Sequence, residues 1–258
     1  MLIMAIILSM ILASFFVTLG FRVKEFMIKN QEINYSKLLI DRSRCDNCQI
    51  VLNPLQLVPI FGLIFYRGRC PKCQSKITKA YIYWEIIYSV GFVSLLGYGD
   101  YRFELVTILD LIFFSFGIVG VITDYYQKLL PDFVLKILVV VGGLEFLLIS
   151  PDTKTIILQS LVVVLLIAIN WLSKERFMGN GDLWLIVGVN LSLSDASLVV
   201  SYLVAIYSAT LIGIIGMATK KLTIKSSIAF GPFILLGWWV AKLSLVDFKW
   251  LIESLRLL

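Results

Sequence analysis

The sequence predicts an all-α polytopic membrane protein with about eight transmembrane helices and one long polar loop. Hydrophobic residues make up 59% of the chain and charged residues only 16%, and the mean hydropathy is +0.92. Apolar runs of about 17 to 25 residues recur along most of the chain, which is the length that a helix needs to cross a bilayer. Polar residues are concentrated between the first two runs. These observations favour a membrane protein with one soluble module.

The first predicted span covers residues 1–20. A secretory signal peptide is the alternative, but no basic residue precedes the apolar stretch, which is also longer than a signal core. The other predicted spans are residues 81–98, 105–123, 133–149, 155–172, 183–193, 198–218 and 228–245. The sixth is short and follows a glycine-rich turn, as expected of a helix that begins inside the bundle. The predicted division is therefore a first span (1–20), a loop (21–80) and a helical domain (81–258).

Lysine and arginine residues predict the orientation of the chain. They are dense between the first two spans and then return in every second loop, at Lys128, Lys174, Arg176, Lys220, Lys221 and Lys225. The positive-inside rule places these loops (21–80, 124–132, 173–182 and 219–227) in the cytoplasm and both termini outside. Orientation and contact with anionic lipid explain the net charge of +6 better than nucleic-acid binding does.

All four cysteines lie in the loop, as the CxxC pairs Cys45/Cys48 and Cys70/Cys73. Each pair can place two thiolates on one tetrahedral ion, so the two pairs predict a closed four-sulfur zinc site. The gap between the pairs is 21 residues (49–69), just beyond the usual range of about 15 to 20. Two disulfides are the alternative, which a reducing cytoplasm disfavours. A closed site has no position for water, so the predicted zinc is structural and supports a loop with little core.

Two aspartates are the candidate catalytic residues. Asp124 ends the third predicted span, and Asp182 ends the sequence Gly179-Asn180-Gly181-Asp182. Carboxylates near a bilayer are costly, so a pair at one predicted face suggests chemistry. The chain has no histidine, which excludes a Ser-His-Asp triad and a His-ligated catalytic metal. Carboxylates about 4 Å apart would repel by about 4 kcal/mol at a dielectric of 20 and would share a proton, one acting as acid and one as base.

Several of these residues also have ordinary structural explanations. Asp182 after the glycines suits a helix N-cap, and Asp132 after Pro131 suits a helix N-terminus. Glu85 lies inside the second span, where it contacts a substrate or cofactor or makes an interhelical hydrogen bond. Gly231-Pro232 either opens the last helix near the site or marks an ordinary helix start.

The ordered motifs resemble a known family. They are SRCDNC at 43–48, RGRCPKCQSKIT at 67–78, a tyrosine-rich helix entry that reaches Glu85, DYYQKLLPD at 124–132, GNGD at 179–182 and FGPF at 230–233. Over nearly the whole chain this arrangement resembles the type IV prepilin peptidases of bacteria, which are GxGD intramembrane aspartyl proteases. The resemblance covers enzymes that serve type IV pili, type II secretion and competence alike.

The resemblance implies an endopeptidase of the bacterial inner (cytoplasmic) membrane. It would cleave the basic leader from prepilins or pseudopilins on the cytoplasmic side, usually after a glycine. Asp124 and Asp182 match the catalytic aspartates, and the four cysteines match the zinc loop. Many members also methylate the new N-terminal amine with S-adenosylmethionine, which implies a second activity. The chain departs from the family at Trp184, where a lysine is common.

Two other classes of function are weaker alternatives. A transporter with a proton relay would spread acids through several spans, whereas the acids noted above cluster at predicted cytoplasmic ends. It would also leave the cysteine loop unexplained. A membrane scaffold with a zinc module and a degenerate site conflicts with the intact aspartate pair.

Overall fold

A computed structural model describes residues 1–28, 38, 44–45, 47–51, 69–70, 72–76, 79–149, 153–172, 179–223 and 226–244. Eight α-helices account for most of these residues. They are α1 (Leu2–Ile28), α2 (Lys79–Tyr98), α3 (Leu105–Gln127), α4 (Asp132–Ile149), α5 (Thr153–Leu172), α6 (Asn180–Ser192), α7 (Asp195–Ala218) and α8 (Gly231–Leu243). Two isolated β-bridges join residues near the cysteines. The predicted all-α class is confirmed.

Each predicted span overlaps one helix, and the boundaries differ by a few residues. α1 continues to Ile28, and α3 continues to Gln127, so Asp124 lies inside a helix. Within the described residues, four helical segments can cross a membrane by length and composition: Leu2–Ile28, Lys79–Tyr98, Leu105–Gln127 and Ser197–Ala218. Gln159–Leu172 and Gly231–Leu243 are shorter apolar helices. The chain is a multi-pass membrane protein, and the count of eight transmembrane helices stays a prediction.

Some predicted features lie outside the described residues. They include most of loop 21–80, with Pro54 and Pro59, and the basic residues Lys174, Arg176 and Lys225. The predicted sidedness of the loops and the division at residues 20 and 80 therefore stay predictions.

The chain forms two compact units, an N-terminal unit (Met1–Arg102) and a C-terminal unit (Phe103–Leu258). In the N-terminal unit α1 packs against α2 through aromatic side chains. Phe16 stacks on Tyr88 with ring centroids 5.9 Å apart, and Phe21 stacks on Tyr81 at 4.1 Å. The buried ring of Tyr88 lies at the centre of this contact. Rings of this size bury enough apolar area to hold two helices side by side.

In the C-terminal unit, α3 packs against α4 and α8, while α6 packs against α4. Glycines let these helices approach closely, as small residues do at helix contacts in membranes. A Cβ added at Gly142 of α4 would lie 2.5 Å from the carbonyl oxygen of Gly188 in α6. A Cβ at Gly237 of α8 would clash with the carbonyl oxygen of Ser201 in α7. Close contacts of this kind fix the positions of the helices that carry the candidate aspartates.

Candidate active site and metal centre

The four cysteines of the N-terminal unit form one cluster. Their Sγ atoms all lie within 4.8 Å of one another, and Cys45–Cys73 and Cys48–Cys70 are each separated by 3.7 Å. A tetrahedral zinc with Zn–S bonds of about 2.3 Å would separate its sulfurs by about 3.8 Å. The geometry therefore fits a four-thiolate metal site, and the cluster can hold a metal ion. All four cysteines are free, so the alternative of two disulfides is not what the structure contains.

Each cysteine pair lies in its own backbone turn, and the two turns have the same conformation. The amide of Cys45 donates to the carbonyl of Ile50 at 3.0 Å, and the amide of Cys70 donates to that of Ser75 at 2.9 Å. Gln49 and Gln74, each just after a pair, have a left-handed φ of 57°. Antiparallel bridges, Arg44 with Val51 and Arg69 with Lys76, close the two turns. The repeated sequence R-C-x-x-C-Q at 44–49 and 69–74 is the signal for this duplicated knuckle.

A serine hydroxyl joins the cysteine cluster. Ser75 Oγ lies 3.0 Å from Cys73 Sγ and 3.5 Å from Cys45 Sγ. Hydrogen bonding, chiefly from the Ser75 side chain, lowers the pKa of the Cys73 thiol to about 6. The thiolate is the form that binds metal, so this contact suits a ligand.

Asp124 lies in the last turn of α3, buried among the helices of the C-terminal unit. Its backbone carbonyl accepts the amide of Lys128, which has a left-handed φ of 55° and ends the helix. Its side chain accepts a different hydrogen bond: Gly231 N–H, at the start of α8, donates to Asp124 Oδ2 over 2.8 Å. The sequence suggested Gly231-Pro232 as a helix opening near the site, and this contact places Gly231 directly on the aspartate.

Asp182 lies in the first turn of α6, where Gly179 occupies the N-cap position. The N-cap role considered for Asp182 is therefore wrong, because the helix begins earlier than the sequence suggested. An acid in this turn is still favoured by the helix dipole. A Cβ added at Gly181 would approach Leu130 Cβ to 3.1 Å, and one at Gly120 of α3 would approach Leu130 Cδ2 to 3.3 Å. Leu130 thus packs against both helices and brings the start of α6 to the end of α3.

The two aspartates are brought together in the C-terminal unit. The charge of Asp124 acts directly on Asp182. Asp124 is buried and Asp182 is partly exposed, so solvent reaches one member of the pair. The exposed side chains of Tyr125 and Trp184 follow the two aspartates in sequence. Two interacting carboxyl groups, one of them reached by solvent, can supply the acid and the base of a hydrolysis.

The structure also contains a buried charged cluster that the sequence interpretation missed. Lys242 Nζ of α8 lies 2.5 Å from Asp110 Oδ1 of α3 and 2.8 Å from Glu145 Oε2 of α4. The expectation that the acids cluster near the predicted cytoplasmic ends is therefore wrong. Asp110 is 14 residues before Asp124 on α3, about 21 Å away at 1.5 Å per residue. Only the packing of α8 supplies the lysine that makes these acids tolerable in an apolar bundle.

Two further positions singled out in the sequence are Asp132 and Glu85. Asp132 begins α4 and is exposed, as a helix-terminal acid would be. Glu85 is buried in α2, within the N-terminal unit. In the C-terminal unit Trp238 of α8 is fully buried, where it stacks on Phe113 and donates to Ser192 Oγ at 2.6 Å. Its role is therefore helix packing.

The fold and the sites together define a multi-pass helical membrane protein with a two-carboxylate site and a four-cysteine module. Residues 7–98 match the family described as Bacterial Peptidase A24 N-terminal domain. The chain is 26% identical to the Prepilin leader peptidase/N-methyltransferase of Neisseria gonorrhoeae, over 83% of this chain and 74% of that protein. It is 25% identical to the protein of the same name from Bacillus subtilis (strain 168), over 90% and 89%. No solved structure matches the chain.

These matches confirm the resemblance to the type IV prepilin peptidases. The family match covers α2 and nearly all of α1, together with the four-cysteine module. The full-length relatives extend the similarity through the aspartate-bearing helices. Over most of its length the chain is similar to proteins named as prepilin leader peptidases.

Proposed function

We propose that this chain is an intramembrane aspartyl endopeptidase of the bacterial inner membrane. It cleaves the basic leader from type IV prepilins or pseudopilins on the cytoplasmic side of the membrane. The observation that carries the proposal is the electrostatic interaction between Asp124 near the end of α3 and Asp182 near the start of α6, in a chain similar to the prepilin leader peptidases. In this proposal the two carboxyl groups are the catalytic residues.

The chemistry follows from two like charges in one partly dry site. Two carboxylates this close do not both ionise readily, so the pair holds one proton between them. The ionised member removes a proton from water, and the protonated member donates one to the carbonyl oxygen of the scissile peptide. This division needs no histidine, in agreement with a chain that has none.

The surface beside the pair suits a substrate that is part peptide and part membrane segment. Tyr125, Leu129 and Trp184 are exposed and apolar or amphipathic, and they come from the chain around the two aspartates. Trp184 stands where the resembled family often has lysine. We propose that this chain holds its substrate there by contact with the indole ring.

The cysteine module would hold structural zinc. Cys45, Cys48, Cys70 and Cys73 are the proposed ligands, and the sulfur spacing described above fits that ion. A site closed by four thiolates has no position for a reacting water, so the metal stabilises the module and takes no part in hydrolysis.

A second activity rests on the names of the relatives. Two of them are each called Prepilin leader peptidase/N-methyltransferase, and we propose methyl transfer from S-adenosylmethionine to the new N-terminal amine. We assign no residue in the described part of the chain to that cofactor. Transfer of a labelled methyl group to the cleaved peptide would measure this activity.

Cleavage of a defined peptide tests the proposal. The purified protein in detergent is given a synthetic peptide with a basic leader, a glycine and an apolar segment, and the products are identified by mass spectrometry. We expect one cut after the glycine. The matched blank is the doubly substituted Asp124→Asn/Asp182→Asn protein, prepared in the same way. Equal cleavage by wild type and blank, or none by either, would refute the proposed activity.

Sidedness is tested separately in intact cells by labelling cysteines introduced one at a time into the chain with its four native cysteines kept, and the unsubstituted chain gives the background. Positions near Lys128 and Lys220 should react only with reagents that enter the cytoplasm, because the positive-inside rule places both there. Labelling of these two positions from opposite sides would separate the ends of α3 and α7 and contradict the predicted topology.

A further inference from the structure

Helices α3 and α8 run antiparallel and touch at four successive levels. Asp124 meets Gly231 at one end, and a Cβ added at Gly117 would collide with Leu235 at the next level. Phe113 then stacks on Trp238 with ring centroids 4.6 Å apart. Asp110 meets Lys242 at the far end. The register of α8 along α3 is therefore fixed by polar contacts at both ends and by packing between them.

The contact at the aspartate end is a hydrogen bond between the start of α8 and the side chain of Asp124. Gly231 is the first residue of α8, and Pro232 follows it without an N–H of its own. The amide of Gly231 is thus one of the unpaired donors of a helix N-terminus, and Asp124 Oδ2 accepts it at 2.8 Å. A Cβ at position 231 would lie 2.8 Å from the same oxygen, so a side chain there would force the carboxylate to shift. Glycine leaves room for this hydrogen bond.

The contact at the far end is a buried ion cluster. Lys242 bridges Asp110 of α3 and Glu145 of α4, and Glu145 is fully buried. The ammonium group also lies 5.7 Å from the Trp238 ring centroid. A sliding movement of α8 would leave these carboxylates without their cation, which is costly in an apolar bundle. The cluster therefore resists axial movement of α8.

The two aspartates have different electrostatic surroundings. Gly231 donates to Asp124, and the start of α8 also presents the positive end of its helix dipole there. Lys128, just beyond the end of α3, adds a positive charge that acts on Asp124, whereas the negative charge of Asp124 acts on Asp182. A donated N–H stabilises the ionised form of a carboxyl group.

We infer that α8 is a positioning helix that divides the catalytic roles: its Gly231 amide holds Asp124 as the ionised base, and the Lys242–Asp110–Glu145 cluster keeps that amide in register. Asp182 then carries the shared proton and acts as the acid. This inference rests on the proposed peptidase function. It assigns Gly231, Lys242, Asp110 and Glu145 positioning roles and gives the pair a polarity that the sequence leaves open.

The first test changes the contact itself. Gly231→Ala places a methyl group against Asp124 Oδ2, whereas the matched control Gly143→Ala adds one where no atom lies within 4 Å. For each folded variant, kcat and KM for the peptide are measured across pH. We expect Gly231→Ala to lower kcat at least tenfold with KM little changed. The acidic limb of its kcat profile should move up by about one to two pH units, since the ionised base loses a charge-assisted hydrogen bond. Gly143→Ala should match wild type.

The second test leaves the aspartates untouched. The triple variant Asp110→Asn/Glu145→Gln/Lys242→Met removes the ion cluster without leaving an unpaired charge, and Lys242→Arg keeps a cation. We expect the triple variant to move the acidic limb in the same direction as Gly231→Ala, and Lys242→Arg to retain the wild-type profile. A purely structural role would reduce the yield of folded protein and leave the pH profile of the folded fraction unchanged.

These outcomes separate the inference from the proposed function. If the wild-type protein does not cleave the peptide, the proposed peptidase function is refuted and the role of α8 is not tested by these variants. If wild type cleaves and Gly231→Ala keeps its acidic limb, the role of the amide is refuted. A folded triple variant with a wild-type profile would refute the role of the ion cluster. If Gly231→Ala cannot be isolated folded, the triple variant and Lys242→Arg decide the matter.

Discussion

The four-cysteine cluster and the aspartate pair are built in opposite ways. Each half of the cysteine cluster is a short turn whose backbone hydrogen bonds span no more than five residues. The two aspartates are 58 positions apart in the sequence. Gly231, which donates a hydrogen bond to Asp124, lies 107 positions from it. One site is thus formed mainly by local turns, and the other by contacts between distant helices, including α3 and α8.

This difference indicates what each site tolerates. If the cysteine module takes its stability from the proposed metal, it should lose that stability with a ligand and regain it when metal returns. The aspartate site takes its geometry from helix contacts, so it should respond to changes well away from the carboxyl groups. Substitutions at each site can test that contrast.

The largest effect is expected at the aspartates. Asp124→Asn or Asp182→Asn should each lower kcat by about 10²- to 10⁴-fold, because either change removes the acid or the base. Helix content and yield should stay close to wild type, since asparagine preserves the shape of the side chain. Peptide cleavage and circular dichroism are the measurements. Near-normal turnover in either variant would remove the pair from the mechanism.

The next effect is expected at the cysteines. Elemental analysis should find about one zinc per chain, and Cys48→Ser should lower that content and loosen the module, since structural zinc contributes about 10 to 16 kcal/mol in small zinc domains. Cleavage should fall less than in the aspartate variants, because zinc does no chemistry here. Wild type that is stripped of metal and reloaded serves as the control and should regain its stability. Metal-free protein with intact stability and full activity would contradict a structural metal.

A smaller effect is expected where helices cross. Gly142→Ala should lower the free energy of unfolding by about 1 to 3 kcal/mol, because its methyl group would overpack against the Gly188 carbonyl at 2.5 Å. Activity should fall with it, since α6 carries Asp182. Gly143→Ala, one residue away in open space, should stay within about 1 kcal/mol of wild type. Thermal unfolding in detergent compares them, and equal stability would show that the α4–α6 contact is loose.

The smallest effect is expected at Asp132. This acid is exposed in the first turn of α4 and lies eight residues after Asp124 in the sequence. Asp132→Asn should cost about 0.3 to 1 kcal/mol from the helix dipole and leave cleavage unchanged. The variant is the charge-matched control for both catalytic substitutions. A large loss of cleavage here would mean that the active site extends beyond the pair.

Helix positions and the metal ligands could be predicted from the sequence because their signals are local. Apolar runs located the eight helices in the described part of the chain, most of them to within a few residues, and paired CxxC motifs named the four cysteines that cluster. Asp124 and Asp182 were also recognised, because an acid at the end of an apolar run is conspicuous. The repeat R-C-x-x-C-Q carried a further local signal, two copies of one turn.

Only the tertiary structure decided how the aspartates are held. Gly231 N–H reaches Asp124 because α8 runs antiparallel to α3, and no pattern in the sequence encodes that register. The same packing brings Lys242 to Asp110 and Glu145, and the sequence does not show that these two acids share a cation. Hydropathy and spacing report which residues lie in helices, since those properties depend on near neighbours. Which helices touch, and at what level, depends on close packing between distant segments, and that contact determines the polarity we infer for the pair.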